Sequence, residues 1–405
     1  MYRVRITRSS RSRWRRLPVL LLAALLAAGP ATAAVAAIPL ASATPARTVG
    51  FDGLVYASVQ VGTTVYVGGS FRNAIVGGRQ VPRKRLAAVD VRTGDLLPWA
   101  PPADGTVFAL AASGSSLYAT GKFATVAGQP RPGLAGIHLA TGAVGPIRHT
   151  IAGTGKALAA GGGRLYLGGE FTAVDAKPAR NLAAFRLSDA TLDTGFRGEA
   201  DGKVQSLTSA GSRLYVGGGF KHLNDTATAR LGALRLSDGQ VDSGFHPATP
   251  YPALAVTVTA DRVYAGLSGV GGRVVAYRPD GAMLWSSVTD GDIQAIAYLN
   301  GAVYAGGHFT VACPQRSRTA TSWCPATLRK QPKLAAWDAA TGALLDWNPR
   351  SNGKWGVLTM NANPRLGVIT VGGEFTSFGS HDRPRFAQFR TCRYGCGSRP
   401  PERAP

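Results

Sequence analysis

A seven-residue phrase, an aliphatic residue followed by Tyr-x-Gly-Gly-x-Phe, recurs along this chain at intervals of roughly 50 residues. Its seven copies, some of them imperfect, begin at Val65, Leu117, Leu165, Leu214, Val263, Val303 and Ile369. A second apolar phrase follows each copy and begins at Leu86, Leu134, Leu182, Leu231, Val274, Leu334 and Phe386. A chain of seven similar units is expected to repeat one supersecondary structure seven times.

Each unit contains four short apolar segments separated by turn residues such as Thr93-Gly94 and Thr341-Gly342. Short segments rich in β-branched and aromatic residues predict strands. None keeps a 3.6-residue period long enough to predict a helix. The predicted fold class is therefore all-β, a seven-bladed β-propeller of four-stranded antiparallel blades. An open β-solenoid is the alternative.

The two ends of the repeated region are expected to meet. The seventh unit stops after its third strand, Phe386–Arg390, while Arg47–Phe51 precedes the first complete unit. We expect this N-terminal strand to pair as the outer strand of the last blade, which closes the ring and removes a free sheet edge. The propeller is accordingly assigned to residues 46–391.

The N-terminus has the layout of a secretory signal peptide. Seven arginines precede an apolar run, Leu17–Ala28, and the small-residue pattern Ala31-Thr32-Ala33. The run is shorter than the roughly 20 residues needed to cross a bilayer. We predict a signal peptide over residues 1–33, a disordered linker over 34–45 and a C-terminal tail over 392–405. The protein is expected to be secreted or associated with the cell envelope, without a membrane span after the signal. An uncleaved signal anchor is the alternative.

The sequence contains four cysteines, and an even number in an exported chain indicates disulfides. Cys313 and Cys324 are close enough in sequence to staple an insertion in unit six, and Cys392 and Cys396 lie in the C-terminal tail. A crossed pairing is less favoured, because the insertion and the tail are expected to leave the blades on opposite faces. No His or acidic residue stands at metal-ligand spacing from these thiols, so no metal site is predicted.

The chain carries 45 Lys and Arg against 22 Asp and Glu, a net charge of +23. This excess favours anionic partners, although a GC-rich coding sequence produces the same bias. Cations recur just before the third strand of each unit, where Arg273 belongs to unit five, and others lie in the insertion of unit six. The predicted anion-binding face consists of Arg85, Arg131, Arg180, Arg230, Lys333, Arg385, Arg316 and Arg318. The alternative is that each repeated cation packs within its own blade, on the repeat Phe or beside a carboxylate.

The sequence predicts no catalytic site. Its histidines are isolated, no Gly-x-Ser-x-Gly elbow is present, and Glu170 and Glu374 occupy equivalent repeat positions. Aromatic and basic residues do not alternate as they do in proteins that bind single-stranded nucleic acid, so no nucleic-acid partner is expected. Trp323, on the insertion of unit six, is a candidate contact residue, unless that insertion is decorative.

The repeat phrases resemble the delta-60-type repeat of exported bacterial β-propellers, and the resemblance covers about residues 50–390. It implies a propeller fold and no catalytic motif. The stretches Ala88–Gly94 and Ala336–Gly342, each followed by a Trp, are also similar to the tryptophan-docking repeat of quinoprotein dehydrogenases, whose motifs lock blades together. Those enzymes tend to have an adjacent Cys pair and acidic calcium ligands, and this sequence has no adjacent cysteines.

The function expected from the sequence is that of an exported, non-catalytic binding or scaffolding propeller, monomeric and without a cofactor. Its partner is expected to be a protein or an anionic cell-envelope polymer. Two alternatives remain open. One is a secreted enzyme, quinone-dependent or glycan-cleaving, with a site at the mouth of the central channel. The other is a lectin-like sugar binder.

Overall fold

The structure is a computed structural model that describes residues 37–391, except residues 229, 318 and 320. The predicted signal peptide, Arg318, Cys392 and Cys396 therefore lie outside the described residues. All regular structure within these residues is β, as predicted, and no helix is present among them. In this part of the chain, accordingly, no helix has the length and apolar character needed to cross a membrane.

Within the described residues, seven antiparallel sheets follow one another along the chain, and we number them 1 to 7. In each sheet a first strand pairs with a second, and the second with a third. The first strands are Val55–Val61, Thr106–Ser113, Ile151–Gly161, Val204–Ala210, Ala253–Val258, Ile293–Leu299 and Val357–Asn363. The second strands are Thr64–Gly69, Ser116–Lys122, Arg164–Val174, Arg213–Gly218, Val263–Leu267, Ala302–Gly307 and Val368–Gly373. The third strands are Leu86–Asp90, Leu134–His138, Leu182–Arg186, Leu231–Arg235, Arg273–Tyr277, Leu334–Asp338 and Phe386–Arg390.

Short strands occupy most of the loops between second and third strands. They form the hairpins Asn73–Val76 with Arg79–Pro82, Thr125–Val126 with Gln129–Pro130, His222–Leu223 with Thr226–Ala227, Val311–Ala312 with Arg329–Lys330, and Ser377–Phe378 with His381–Asp382. In sheet 3 the long second strand itself continues into the loop and pairs with Lys177–Pro178. Gly50–Phe51 adds a further short strand beside Asn73–Val76.

The second and third strands form where the repeat phrases stand, because those phrases suit burial on both faces. In sheet 1, Val65 to Gly69 are buried, and so are Leu86 to Val89. Strands buried on both faces consist of continuous aliphatic, aromatic and small residues rather than an alternation with polar ones. Sheets 1 and 2 share one such buried cluster, which joins Tyr66 to Leu117.

The fourth segment of most sheets is shorter than the strand we predicted. Among the described residues, only sheet 5 has a full fourth strand, Met283–Val288, whereas in sheet 1 the segment makes a single bridge, from Leu96 to Val89. Pro98 and Pro101 follow Leu96, and a proline cannot donate to a strand ladder. No proline interrupts Met283–Val288.

The first strands pack side by side in chain order, and the first strand of sheet 7 also packs against that of sheet 1. At this last contact, the amide and hydroxyl of Ser58 lie 3.1 and 3.0 Å from Thr359 Oγ1. Asn361 Nδ2 donates to Ser58 Oγ at 2.6 Å. Sheets at the two ends of the repeated region are therefore neighbours.

A glycine near the end of the second strand permits this close packing of sheets. A Cβ atom added to Gly68 would lie 2.6 Å from Val107 Cγ1 in sheet 2, and one added to Gly372 would lie 2.4 Å from Val55 Cγ1 in sheet 1. Sheet 2 has Thr120 at this position, and sheet 3 compensates with Gly155 where other first strands have Val, Ile or Ala. Only one of the two facing residues needs to be small.

Aromatic side chains tie the outer parts of neighbouring sheets together. The rings of Tyr66 and Trp99 are 5.0 Å apart in sheet 1. Tyr66 Oη donates to Leu139 O at 2.9 Å and Trp99 Nε1 donates to His138 O at 3.1 Å, both at the outer turn of sheet 2. The aromatic residues of the repeat therefore connect sheets.

The prediction that Arg47–Phe51 pairs with the last sheet is wrong in its residues. The N–H groups of Ser42 and Ala46 donate to Arg390 O and Gln388 O, both at 2.8 Å, whereas Gly50–Phe51 pairs with the short strand Asn73–Val76 in the loop of unit one. The segment that accompanies the third strand of sheet 7 is thus Ala41–Ala46.

The prediction of a disordered linker over residues 34–45 therefore also needs correction for its second half. Ala41 is buried and its N–H donates to Tyr304 Oη at 2.9 Å, while Ile38 and Leu40 pack on the core of sheets 6 and 7. These apolar residues cover a core that no fourth segment of unit seven covers among the described residues.

Candidate binding face and channel mouth

The second strands end and the first strands begin at one edge of the sheets. We call this edge the loop face, because it carries the loops between second and third strands. The repeated contact of Gly68 with Val107, and of Gly372 with Val55, aligns this edge from one sheet to the next. Most of the residues predicted to bind an anion lie on the loop face.

The repeated position just before the third strand is defined by its backbone. Arg85, Arg230, Lys333 and Arg385 have φ angles of 71°, 71°, 67° and 67°, in the left-handed region. Sheets 2 and 3 have Gly133 and Asn181 there, rather than the predicted Arg131 and Arg180. In each case the N–H of this residue donates to the carbonyl of the repeat Phe, as in Arg85 to Phe71 at 3.0 Å. The feature that recurs is a turn, which glycine and asparagine adopt most easily.

Several of the predicted anion-binding side chains have partners within their own sheet. Arg85 donates to the Ser70 carbonyl, Lys333 Nζ donates to His308 O at 3.1 Å, and Arg131 is buried with an Nη atom 2.7 Å from Pro130 O. Arg230 and Arg385 are half-buried. Arg180 and Arg316 are exposed, with Arg180 at 3.7 Å from the Glu199 carboxylate. Binding of an anion to this face stays a prediction.

A second recurring arginine, which the sequence analysis did not separate from the first, holds the fourth segment. In sheet 1, Arg83 Nη2 donates to Leu97 O at 2.8 Å. Equivalent bonds join Arg131 to Gly145 O at 2.8 Å, Arg329 to Leu345 O at 2.9 Å, and Arg383 to Ala46 O at 3.1 Å. These guanidinium groups replace ladder hydrogen bonds that the short fourth segment does not make.

Acidic side chains at the start of the first strands organise the loops. Asp201 accepts hydrogen bonds from the N–H groups of Lys221 and His222 at 2.7 and 3.0 Å. Asp52, Asp104, Asp290 and Asn352 make the same pair of contacts in their sheets. Burial alone would raise the pKa of Asp201, but these bonds and that of the His222 ring outweigh it and lower the pKa to about 2.

Two histidines pair with aspartates. His149 Nδ1 lies 2.6 Å from Asp175 Oδ2, and His149 Nε2 lies 2.9 Å from Ala190 O, so both ring nitrogens are engaged. His222 Nδ1 lies 2.7 Å from Asp201 Oδ2. Within the described residues, no three His, Cys, Asp or Glu side chains come together as a metal site would require.

The insertion of unit six packs on sheet 5. Cys313 and Cys324 form a disulfide with their Cα atoms 5.5 Å apart, as predicted. Arg273, predicted as one of the repeated surface cations, is buried instead, and donates to Thr321 O at 3.1 Å and Ser322 O at 2.9 Å. The guanidinium thus holds the insertion against sheet 5, which the sequence could not show because the contact spans two units.

Exposed large apolar side chains lie on the loop face of sheets 5 to 7. Val270 is 77% exposed, Trp323 52% and Trp355 50%. Trp323 covers the hairpin of sheet 5, since a Cβ added to Gly271 would be 3.1 Å from its ring. Sequence analysis found Trp323 but not Val270 or Trp355.

The first strands share a β-bulge close to the loop face. Each first strand contains one residue that its partner strand leaves unpaired, for example Tyr56 between the paired Val55 and Ala57. The bulge residues are Tyr56, Phe108, Lys156, Gln205, Leu254, Gln294 and Leu358. Together with Lys203 they line a cavity of about 260 Å³ at the centre of the sheets, which we call the channel mouth. Bulges commonly redirect a side chain.

The channel mouth has a cationic and aromatic side. The rings of Tyr56 and Phe108 are 5.4 Å apart, and Lys156 Nζ lies 3.5 Å from the centroid of Phe108. Burial lowers the pKa of Lys156, and the charges of Lys203 and Lys122 lower it further, against a smaller opposing effect of Glu170. Sequence analysis missed this site, although the variable residue between a small or aliphatic residue and Ala, Ser or Thr was visible in each unit.

A scan of protein-family models and a search of curated proteins find no match to this chain. Solved structures do match it. The WD40 β-propeller domain of Doa1 is 13% identical, with a TM-score of 0.54 over 86% of this chain and 97% of that domain. A chain of the mitotic checkpoint complex is 13% identical, with a TM-score of 0.56 over 93% of this chain and 99% of its own length. At this identity the likeness concerns the fold alone. The chain has a WD40-like β-propeller fold.

Proposed function

We propose that the seven sheets are the blades of one closed propeller of the delta-60-repeat type, which is exported and acts as a non-catalytic binding or scaffolding module. The packing of Gly372 on Val55 and the bonds between Ser58 and Thr359 support closure of the ring. The segment Ala41–Ala46 beside the third strand of sheet 7 supports it as well. Fold alone does not define a ligand, so the proposal depends on the loop face.

The polar side chains near the loop face make hydrogen bonds that stabilise the fold, which supports a role without catalysis. The aspartates at the start of the first strands accept backbone N–H groups, and both ring nitrogens of His149 are engaged. Lowered pKa values keep Asp104 and Asp201 ionised at neutral pH, although burial by itself acts in the opposite direction. A general acid would need a pKa near the working pH.

The observation that carries the proposal is the exposure of Val270, Trp323 and Trp355 on one face. Large apolar side chains left in water on loops that the repeat does not require are typical of an interaction site. Tryptophan is enriched among the residues that dominate binding energy in protein interfaces. We therefore propose a protein partner with an apolar contact region.

An anionic cell-envelope polymer is the second candidate. It is favoured by the exposed side chains of Arg180 and Arg316 on the same face. Binding through exposed cations weakens as the salt concentration rises, because salt screens the attraction between exposed charges. The Debye length, over which such attraction acts, is about 8 Å at physiological ionic strength and becomes shorter at higher salt. Apolar contact with a protein is not weakened in this way.

The test is a pull-down from cell-envelope extract with the immobilised chain at low and high salt, comparing wild type with Trp323→Ala and Trp355→Ala together. Tyr298→Ala is the matched control, because Tyr298 is exposed but lies near the opposite end of its strand. We expect a defined protein that is retained at high salt, retained by the control and lost by the double variant. A protein retained by the double variant would refute the proposed surface, and a salt-labile polymer would favour the second candidate.

A further inference from the structure

The channel mouth combines a repeated backbone with side chains that do not repeat. The β-bulge is present in every first strand, yet its residue is aromatic in sheets 1 and 2, Lys156 in sheet 3, an amide in sheets 4 and 6, and Leu in sheets 5 and 7. A residue required by the fold would be similar in each sheet, as the repeat Phe is. The composition of the mouth is therefore free to serve a ligand.

Among the described residues, the positive charges at the mouth form no close ion pair. Within the described residues, neither Lys156 nor Lys203 has a carboxylate within 4.0 Å, and both are half-buried. Other cations of the loop face, such as Arg180, do have one nearby. Half-buried amines without a counter-ion attract an anion more strongly than exposed ones, since water screens them less.

A buried oxygen at the mouth lacks a hydrogen-bond donor. Gln294 Oε1 is buried and makes no hydrogen bond. Leaving such an acceptor unpaired is unfavourable, and a rotation of the Gln294 side chain that meets a hydroxyl donor of a ligand would remove that cost. Gln205 offers a second amide at the same mouth, while Tyr56 and Leu358 supply apolar surface.

We propose that the channel mouth binds a small organic anion, namely a carboxylate carried on a hydroxylated ring, which is the chemistry of an acidic sugar. The carboxylate lies between Lys156 and Lys203, a hydroxyl donates to Gln294, and the ring packs against Tyr56. A cavity of about 260 Å³ suits one such ring rather than a polymer segment. The site does not depend on the protein partner proposed above, because its residues are separate from Trp323 and Trp355.

The test is calorimetric titration of the purified chain with glucuronate. Glucose keeps the ring and lacks the charge, whereas acetate and inorganic phosphate keep a charge and lack the ring. We expect glucuronate to bind at least tenfold more tightly than any of the three. Equal binding of phosphate would overturn the acidic-sugar assignment, and so would equal binding of glucose. A glucuronate-terminated oligosaccharide that binds as tightly as the monosaccharide would identify a chain end as the source, and a weaker one would identify the free sugar acid.

Variants locate the site. Lys156→Gln and Lys203→Gln should each weaken glucuronate binding at least tenfold. Lys330→Gln removes the same charge from an exposed position on the loop face outside the mouth and should change binding less than twofold. Gln294→Leu should weaken glucuronate several-fold and leave acetate unchanged. Lys203→Gln tests the site independently of the stacking of Lys156 on Phe108. Glucuronate binding that survives both lysine substitutions, or no binding of glucuronate by the folded wild type at millimolar concentration, would refute the proposal.

Discussion

The contact between sheets 7 and 1 can be tested by copying an exchange that the chain already contains. At the contact of sheets 2 and 3 the larger residue, Thr120, is in the second strand and the glycine, Gly155, is in the next first strand. At the contact of sheets 7 and 1 the arrangement is reversed, with Gly372 facing Val55. The substitution Gly372→Ala should therefore be harmful alone and better tolerated together with Val55→Gly.

The magnitudes follow from the distances. A Cβ on residue 372 would lie 2.4 Å from Val55 Cγ1, an overlap that typically costs about 1–3 kcal/mol. Val55 is fully buried, so its replacement by glycine removes roughly 1.5–3 kcal/mol of apolar burial. It also adds about 0.5–1 kcal/mol for a glycine within a strand. If the two residues touch, the double variant should be about 1–3 kcal/mol more stable than the two single costs imply.

The assay is the free energy of unfolding from urea titration of the wild type, both single variants and the double variant. Gly168→Ala with Val204→Gly repeats the cycle at the contact of sheets 3 and 4, where the corresponding distance is also 2.4 Å. Gly219→Ala is the space control, since nothing lies within 4 Å of its added Cβ, and it should leave stability unchanged or raise it by up to about 1 kcal/mol. Coupling at the contact of sheets 3 and 4 but additive costs for Gly372 and Val55 would refute closure of the ring.

Two further predictions concern pH and the disulfide. Because hydrogen bonds lower the pKa of Asp201 from 3.8 to about 2 against the effect of burial, its contribution to stability is complete above the ordinary value and is lost as pH falls through the lowered one. Asp201→Asn, which supplies the amide that Asn352 already provides in sheet 7, should flatten the pH dependence of the unfolding free energy below pH ~4, and an unchanged profile would contradict this. Reduction of the Cys313–Cys324 disulfide, a separation of 11 residues, should remove about 3 kcal/mol of local constraint. It should expose the insertion to limited proteolysis while thermal unfolding of the remaining sheets changes little, whereas equal cleavage rates before and after reduction would contradict it.

Much of the fold could be predicted because the same pattern of strands and turns occurs in each of the repeated units. The Gly-Gly pair marks the second strand in five of the seven sheets and the apolar phrase marks the third strand in all seven, and the structure confirms an all-β propeller fold. The N-terminal pairing was missed for a physical reason. Ala41–Ala46 carries no repeat phrase. The segment is positioned by the core of sheet 7, which it covers, and by the hydrogen bond to Tyr304, and both are distant from it in sequence.

The candidate sites were harder to predict, because a residue that recurs in each unit usually stabilises the fold and does not indicate a binding site. Arg85 and Lys333 stood out in the sequence because they recur, yet they recur because a left-handed turn precedes the third strand in six of the seven sheets and because nearby carbonyl groups need donors. The signal at Trp355 was a single residue outside any phrase. Arg273 was assigned to the surface, although the contact that buries it comes from the insertion of the next unit.

The residues of the channel mouth differ from the repeated turn residues and from the residues that pack between sheets. A bulge residue is unpaired in its ladder and lines the channel mouth, so hydrogen bonding and packing restrict its side chain less than that of a residue between two sheets. Gly372 and Val55, which lie beside the bulge, are restricted both by their ladder hydrogen bonds and by packing between sheets. Divergence between repeats is therefore wider at the bulge than beside it, and the bulge residues include Lys156 on an aromatic ring and Gln294 with an unpaired oxygen. Gln294 Oε1 reduces stability in the absence of a ligand, and Lys156 and Lys203 bring two charges into the same mouth from neighbouring units, which is the reason to seek a ligand there first.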